Sequence, residues 1–246
     1  MDREALKAHK EEEHGISAFA TYIKEIVYGG TDGIITTFAV VSGFSGANLG
    51  NQALNFSILT VLIFGLANLI ADGASMGLGN FLSLRSEKKV YDDFYDKELH
   101  ETKVSLEYEI EETEELLVEQ GFDEKDANTI TKIFAKNTDY WVKFMVQYEG
   151  GLGKPSETPI KSGLITFFSF LSFGFIPLIP YILMNTNSFL SLFITSIIAT
   201  VIALFILGLV RAFVSKSSYI ISILETVSLG AIASLLAYLV GYIFTL

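Results

Sequence analysis

Long apolar runs alternate with charged segments along this chain. Each run is long enough to cross a bilayer as a helix, since about 20 apolar residues suffice. A segment rich in Glu and Asp separates the second run from the third. The pattern predicts an all-α membrane protein with five transmembrane helices per subunit and an acidic three-helix domain between spans two and three. The five runs cover approximately residues 22–47, 54–84, 160–184, 189–214 and 219–246.

The same pattern divides the chain into three parts. Residues 1–85 hold a charged N-terminal helix and the first two spans, residues 86–156 form the acidic domain, and residues 157–246 hold spans three to five. The first residues, MDREALKAHKEEEHG, are charged throughout. We therefore expect a helix at the membrane surface rather than a cleavable signal peptide.

The basic residues predict the orientation of the spans. The connectors GANLGNQ, after span one, and NTNS, after span three, carry no Lys or Arg, whereas the flanks on the other side are basic. Because basic flanks face the cytosol, we expect the N-terminus and the acidic domain to be cytosolic and the C-terminus to lie outside. Compact loops favour a microbial plasma membrane, with a vacuolar membrane as the alternative in a eukaryote. The basic flanking residues are Lys24, Arg85, Lys88, Lys89, Lys161, Arg211 and Lys216.

Composition narrows the class of protein. Half of the 246 residues are hydrophobic, which is too many for a soluble domain, and the net charge of -11 requires that the acidic residues lie outside the bilayer. The absence of cysteine excludes disulfides and thiolate chemistry. The sequence contains no nucleotide-binding loop and nothing that suggests bond-making chemistry. We therefore expect neither an enzyme nor an ATP-driven pump, and no nucleic-acid partner.

Polar residues inside the first two spans predict an ion path. Asp32 lies in an apolar run with Thr36 one turn later, and Asn68, Asp72 and Met76 are spaced by four residues, so they share one helix face. Ionisable groups at membrane depth are costly and usually functional. Carboxylate, amide and thioether groups in a row suit a borderline-soft divalent ion. The alternatives are a structural Asp32 at a helix start and ordinary apolar packing of Met76.

The acidic domain offers a second set of metal ligands. Residues 87–119 are expected to form one helix, which Gly121 ends and on which four glutamates share a narrow face. Two further helices, at 123–136 and 138–148, complete a three-helix layer. Crowded carboxylates repel one another, so a cation would make the arrangement tolerable, although a solvated acidic face is the alternative. The predicted face carries Glu98, Glu101, Glu109 and Glu112, and Met145 and Glu149 end the third helix.

Two later spans carry residues that are unusual within a transmembrane helix. Pro177 and Pro180 must break or kink span three near its outer end. Glu225 lies about two turns into span five, where we expect a structural ion pair with Arg211 or Lys216, with a role in proton movement as the alternative.

Four motifs in the same order resemble those of the vacuolar iron transporter family. They are TDGIITTFAVVSGFSGA in span one, GASMGLGNFLSLRSE at the end of span two, WVKFMVQYEGGL at the end of the acidic domain and GFIPLIPY in span three. The resemblance implies a homodimer in the lipid bilayer, with the ion path between the two first spans. It also implies export of Fe²⁺ from the cytosol in exchange for protons, with Mn²⁺, Co²⁺ or Zn²⁺ as other candidate ions and no tightly bound cofactor.

The family pattern places transport residues at Asp32 and Met76 and metal ligands at the glutamates, Met145 and Glu149 of the acidic domain. The chain departs from this pattern in span two. Asn68 stands where the family commonly has a glutamate, and Asp72 stands where a small residue is usual. We hypothesise that Asp72 replaces the missing carboxylate. Glu225 likewise stands where an uncharged polar residue is typical.

Two other functions remain open from the sequence. A membrane-anchored buffer or sensor of divalent metal would need the acidic domain but not Asp32, whereas a transporter needs Asp32 above all. A passive cation channel would carry metal without changing the internal pH.

Overall fold

The structure is a computed structural model that describes residues 18–50, 57–155, 158–184 and 188–244. Within these ranges the chain is helical and contains no strand. The predicted surface helix at the N-terminus lies almost entirely outside the described residues, as do parts of the connectors after spans one and three. The helices are α1 Ala18–Thr21, α2 Ile23–Gly50, α3 Ile58–Val104, α4 Leu106–Glu119, α5 Glu124–Phe134, α6 Thr138–Tyr148, α7 Pro159–Gly174, α8 Ile179–Leu183, α9 Phe189–Ser215 and α10 Tyr219–Ile243.

The chain forms two compact units. Leu82–Thr158 is called here the acidic unit, and Met1–Phe81 with Pro159–Leu246 is called the membrane unit. Helix α3 belongs to both, since it runs for 47 residues without interruption. Its first half is apolar and its second half is charged, so the same helix contains span two and the first residues of the acidic unit.

Four helical segments among the described residues are long and apolar enough to cross a membrane. They are Ile58–Val104, Pro159–Leu183, Phe189–Ser215 and Tyr219–Ile243. The first predicted span, α2, is not among them, so the structure supports four candidate spans and leaves the count of five a prediction. The sequence of α2 is rich in Gly, Ser and Thr and contains Asp32. These residues suit a helix that packs against protein rather than lipid.

Helix α2 lies at the centre of the membrane unit and packs against α7, α9 and α10. Glycines allow the close approach: a Cβ added at Gly29 would lie 2.8 Å from the carbonyl oxygen of Thr166. Gly33 meets the backbone of Phe170 more closely still, and Gly46 meets that of Tyr238. The glycines around Asp32 therefore serve helix packing.

The predicted break in span three is confirmed. Helix α7 ends at Gly174, a 3₁₀ turn covers Ile176–Leu178, and the short helix α8 follows. Pro177 and Pro180 lack the backbone N–H that a continuous helix needs. The freed backbone is partly used, because Ser196 Oγ donates a hydrogen bond to the Pro177 carbonyl oxygen at 2.7 Å.

The acidic unit corrects one prediction. The expected single helix over residues 87–119 is wrong, because α3 ends at Val104 and α4 begins at Leu106. Ser105 leaves helical geometry, with φ −132° and ψ 39°. Its neighbourhood contains the β-branched Thr102 and Val104, which are weaker helix formers than the surrounding Glu and Leu. Since neither Gly nor Pro marks the position, the sequence pattern gave no stop signal.

The remaining helices of the acidic unit form as the sequence predicts. Asp123 caps α5 by accepting a hydrogen bond from the Asp126 amide at 2.8 Å, and Asn137 caps α6 through the Tyr140 amide at 3.3 Å. Trp141 of α6 is 1% exposed, and its indole N–H donates a hydrogen bond to Thr113 Oγ1 of α4. This packing fixes α4 and α6 beside each other and so positions the acidic residues described below.

A pair of glycine substitutions tests the packing around α2. Gly33→Ala should lower the unfolding temperature, because the added methyl group meets the Phe170 backbone and overpacking costs about 1–3 kcal/mol. Gly79→Ala is the matched control, since a Cβ at Gly79 meets nothing within 4 Å. Ala is the better helix former, so the control should leave stability unchanged or raise it by up to about 1 kcal/mol. Equal shifts for both variants in thermal unfolding of the detergent-solubilised protein would contradict the close contact.

Candidate metal-binding site

The break at Ser105 places acidic residues of α3 beside those of α4. One carboxylate oxygen from each of Glu98, Glu101 and Glu109 lies within 4.8 Å of the other two. Glu98 is 1% exposed and Glu109 is 2% exposed, whereas Glu101 is half-buried. The side chains therefore converge from two helices rather than from one helix face.

The donors at this cluster suit a divalent ion. The Oε2 atoms of Glu98 and Glu109 are buried and have no hydrogen-bond partner among the described residues. A buried carboxylate oxygen without a partner carries a large desolvation cost, which a bound cation removes. Carboxylate oxygens bind any divalent ion, so these three side chains alone do not select one metal.

Lys97 compensates part of the negative charge. Its Nζ lies 3.1 Å from Glu101 Oε2 and 3.5 Å from Glu98 Oε1, and it also sits over the Phe94 ring. The hydrogen bond to Glu101 raises the pKa of Lys97, which therefore stays charged. One ammonium group cannot balance three or more ionised carboxylates, so the cluster carries net negative charge when its carboxyl groups are ionised.

Burial and crowding raise the pKa values of the carboxyl groups. The pKa of Glu109 rises from 4.5 to about 7, first because the group is buried and then because of the charges on Glu101, Glu112 and Glu149. Burial and the charge of Glu109 raise the pKa of Glu98. Burial followed by the charge of a neighbouring glutamate likewise raises the pKa of Glu112 and Glu149. All four groups therefore bind protons more readily than free carboxyl groups do, and a metal ion would compete with those protons.

The other predicted ligands of the acidic unit lie around this cluster. Glu112 and Glu149 are near enough for their charges to interact, although Glu149 is largely exposed. Met145 is fully buried, and its sulfur lies 3.2 Å from Thr113 Oγ1. Thr113 stands one turn after Glu109 on α4, so the thioether is held beside the turn that begins with that glutamate.

The predicted polar stripe of the membrane unit is partly assembled. Asn68 Nδ2 donates a hydrogen bond to Asp72 Oδ2 at 2.7 Å, and Asp72 is close enough to Asp32 for their charges to interact. Thr36 instead donates to the Asp32 backbone carbonyl at 2.8 Å. Met76 is half-buried and packs against a cluster of apolar side chains. The structure thus brings the two aspartates and Asn68 together and leaves Met76 in apolar surroundings.

Asp32 has no basic partner among the residues that the structure describes. No Lys, Arg or His lies within ion-pair distance of it in the described part of the chain. Further along α2, a groove of about 390 Å³ separates that helix from α3 and is lined by Ala39, Val40, Phe64 and Asn68. The face of α2 that carries Asp32 therefore continues into an open groove.

Comparison with known proteins gives the family. A sequence model described as the VIT family matches residues 23–242. Vacuolar iron transporter 1 of Arabidopsis thaliana is 31% identical over 238 residues, covering 96% of this chain and 91% of that protein. The chain belongs to the vacuolar iron transporter (VIT) family.

Two further relatives are also named vacuolar iron transporters. The vacuolar iron transporter of Plasmodium berghei is 33% identical over 232 residues, covering 89% of this chain and 81% of that protein. That of Toxoplasma gondii (strain ATCC 50861 / VEG) is 38% identical over 183 residues, covering 73% of this chain and 58% of that protein. These relatives are named as transporters rather than enzymes, consistent with the expectation from the sequence.

In this VIT-family chain, sequence reasoning missed three residues near the acidic cluster. Lys97 could have been found, because Lys97 and Glu101 have the i,i+4 spacing of helical ion pairs. Thr113 and Trp141 carry no such signal, since their contact joins two helices. The expected ion pair of Glu225 is confirmed, with Arg211 as its partner at 2.9 Å.

The raised pKa values predict how stability depends on pH. In the metal-free protein, Glu109 holds its proton more tightly when folded, so its stabilising contribution is complete below about pH 4.5 and is lost as the pH rises through about 7. Fluorescence of Trp141, the only tryptophan, should therefore report unfolding of the acidic unit at a lower temperature at pH 8 than at pH 5. Co²⁺ should reverse the loss at pH 8 and have little effect at pH 5.

Glu109→Gln supplies the control for this measurement. It keeps the size of the side chain and removes the titrating group, so the change between pH 5 and pH 8 should shrink. An unchanged pH dependence in that variant would show that Glu109 is not the group responsible.

Proposed function

We propose that this VIT-family protein is a proton-coupled antiporter that exports divalent transition-metal ions, Fe²⁺ and also Mn²⁺, from the cytosol. The observation that carries the proposal is the pair Asp32 and Asp72 in the membrane unit, where the only nearby compensation described is the Asn68 amide. The printed names of the relatives, all vacuolar iron transporters, support iron as the cargo.

The acidic unit is proposed to capture the ion. Residues 86–156 would form a cytosolic metal-binding domain, with Glu98, Glu101 and Glu109 supplying oxygen ligands. Glu112, Glu149 and Met145 would complete the set. The buried Oε2 atoms without partners support this role, since a cation would remove their desolvation cost. Binding would also raise the local concentration of the ion at the membrane.

Proton exchange is proposed to occur at the membrane carboxylates. A metal ion would bind Asp32 and Met76, and protons arriving from the opposite side would protonate Asp32, Asp72 or both and release the ion. A carboxylate can bind either a proton or a metal ion, so the two compete for the same oxygen atoms. The absence of a basic partner at Asp32, among the described residues, supports this exchange because no fixed cation neutralises the site.

The proposed assembly is a homodimer with five spans per subunit and the path between the two copies of α2. The face of α2 that carries Asp32 and Thr36 is only half-buried, although the helix is central to its own bundle. A second copy on that face would shield the carboxylates from lipid. The N-terminus and the acidic domain would lie in the cytosol, in keeping with the basic flanks of the spans.

Flux through proteoliposomes tests the function. Asp32→Asn should abolish metal-driven proton movement, because the amide cannot exchange a proton for a metal ion. A quadruple Gln variant of Glu98, Glu101, Glu109 and Glu112 should transport at saturating metal but require a higher metal concentration. Glu225→Gln is the matched control. Because the Glu225 carboxylate pairs with Arg211, this substitution should leave flux largely intact.

The alternatives give different results in the same assay. A metal buffer or sensor would show no flux in the wild-type protein. A passive channel would carry metal without a change in the internal pH. Either result would overturn the antiporter.

Asp72 is proposed to serve in place of the glutamate that the family commonly has at the position of Asn68. Asp72→Asn should reduce coupled proton flux, about tenfold or more if the carboxylate is essential. The double variant Asn68→Glu with Asp72→Ala, which restores the common family pattern, should recover flux. Full transport by Asp72→Asn would show that Asp72 has no such role.

A further inference from the structure

A buried polar network lies behind the acidic cluster and joins α4 to α6. The Trp141 indole N–H donates a hydrogen bond to Thr113 Oγ1 at 2.7 Å. The same oxygen lies 2.7 Å from the Glu109 carbonyl oxygen and 3.2 Å from Met145 Sδ. Thr113 and Met145 are fully buried and Trp141 is 1% exposed, so water does not compete for these contacts.

The geometry fixes the hydroxyl group of Thr113. A threonine hydroxyl has one hydrogen and two lone pairs. Because Trp141 can only donate, it occupies one lone pair, and the single hydrogen has two acceptors within reach, the Glu109 carbonyl oxygen and the Met145 sulfur. Rotation of the Thr113 side chain that moved this oxygen away would leave the buried indole N–H without its acceptor, which is unfavourable.

This network bears on the one soft donor of the proposed metal site. Methionine has three rotatable side-chain bonds and fills space in many rotamers, so an unrestrained thioether must be ordered before it can bind an ion. A sulfur also has more than one lone pair, so a contact with a hydroxyl leaves another free. Thr113 is thus placed to hold the sulfur beside the turn of α4 that carries Glu109 and Glu112.

We propose that Thr113 is a positioning residue: it orients the Met145 thioether, with Trp141 locking its hydroxyl, and so sets the preference of the acidic unit for softer transition metals. This inference rests on the proposed role of Met145 as a ligand. Carboxylates alone suit Mn²⁺, whereas a thioether favours ions such as Co²⁺. Loss of a residue that orients a ligand typically lowers metal affinity 10–100-fold.

The test compares Thr113→Val with Thr113→Ser by calorimetric titration of the full-length protein with Co²⁺ and Mn²⁺. These proteins and the parent with which they are compared all carry Asp32→Asn, Asp72→Asn and Met76→Leu, so that the membrane carboxylates and Met76 do not contribute. Thr113→Val should weaken Co²⁺ binding about tenfold and Mn²⁺ binding less than about twofold. Thr113→Ser keeps the hydroxyl and should retain the parent ratio of the two affinities. A purely structural defect would weaken both metals alike and overturn the proposal.

Met145→Leu distinguishes failure of the proposed Thr113 role from failure of the proposed ligand set on which it rests. If that variant shifts the Co²⁺ to Mn²⁺ ratio and Thr113→Val does not, Thr113 has no positioning role although Met145 is a ligand. If Met145→Leu leaves the ratio unchanged, Met145 is not a ligand and the proposed ligand set fails as well.

A measurement without metal covers the case in which Thr113→Val folds poorly. The chain has four methionines, so methyl labelling gives few signals, and Met145→Leu identifies the one from Met145. Trp141→Phe keeps Thr113 but removes the donor that locks its hydroxyl. The Met145 methyl signal should then move toward the value of a freely rotating side chain. A signal that stays at its parent position would overturn the proposed restraint.

Discussion

The structure depends on holding like-charged carboxylates close together where water cannot fully solvate them. Burial penalises the ionised form of a carboxyl group, and a neighbouring negative charge adds to that penalty. Glu98 and Glu109 are nearly inaccessible to solvent, yet each retains an oxygen without a hydrogen-bond partner among the described residues. A fold that only needed stability would place apolar groups there, since replacing buried charges with apolar side chains is often neutral or stabilising. The arrangement therefore supports the proposed cation site.

The surrounding structure supplies the rigidity that such an arrangement requires. The Asp123 and Asn137 caps fix the starts of α5 and α6, and the Trp141–Thr113 contact ties α6 to α4. In the membrane unit, glycines let α2 approach the backbones of α7 and α10. In the acidic unit, the Trp141–Thr113 contact leaves α4 and α6 little freedom to separate and relieve the repulsion between their carboxylates. Binding of protons or of metal ions is then what can reduce the repulsion between the carboxylates.

Most of the helices could be predicted from the sequence, because apolar runs, caps and the prolines of span three are local signals. The residues of the acidic cluster could also be predicted, but their geometry could not. The sequence suggested one continuous helical face, whereas the break at Ser105 brings Glu109 to Glu98 from a second helix. Thr102, Val104 and Ser105 weaken a helix only slightly, so whether they end it depends on tertiary contacts. The contact between Thr113 and Met145 lies beyond local reasoning for the same reason, since 32 residues separate the two side chains.

The two sets of carboxylates differ in how their charge is compensated, and the difference fits the two proposed roles. In the acidic unit, Lys97 reaches Glu98 and Glu101 on a flexible, half-exposed side chain, so an arriving divalent ion can displace it at small cost. Asp32 and Asp72 have an amide nearby but no ammonium or guanidinium group within the described residues. This arrangement fits the proposed role, in which a mobile cation, either a metal ion or a proton, balances their charge. The acidic unit, which has Lys97 as a counterion, suits metal capture. The membrane aspartates, which have no such counterion among the described residues, suit exchange of a metal ion for protons.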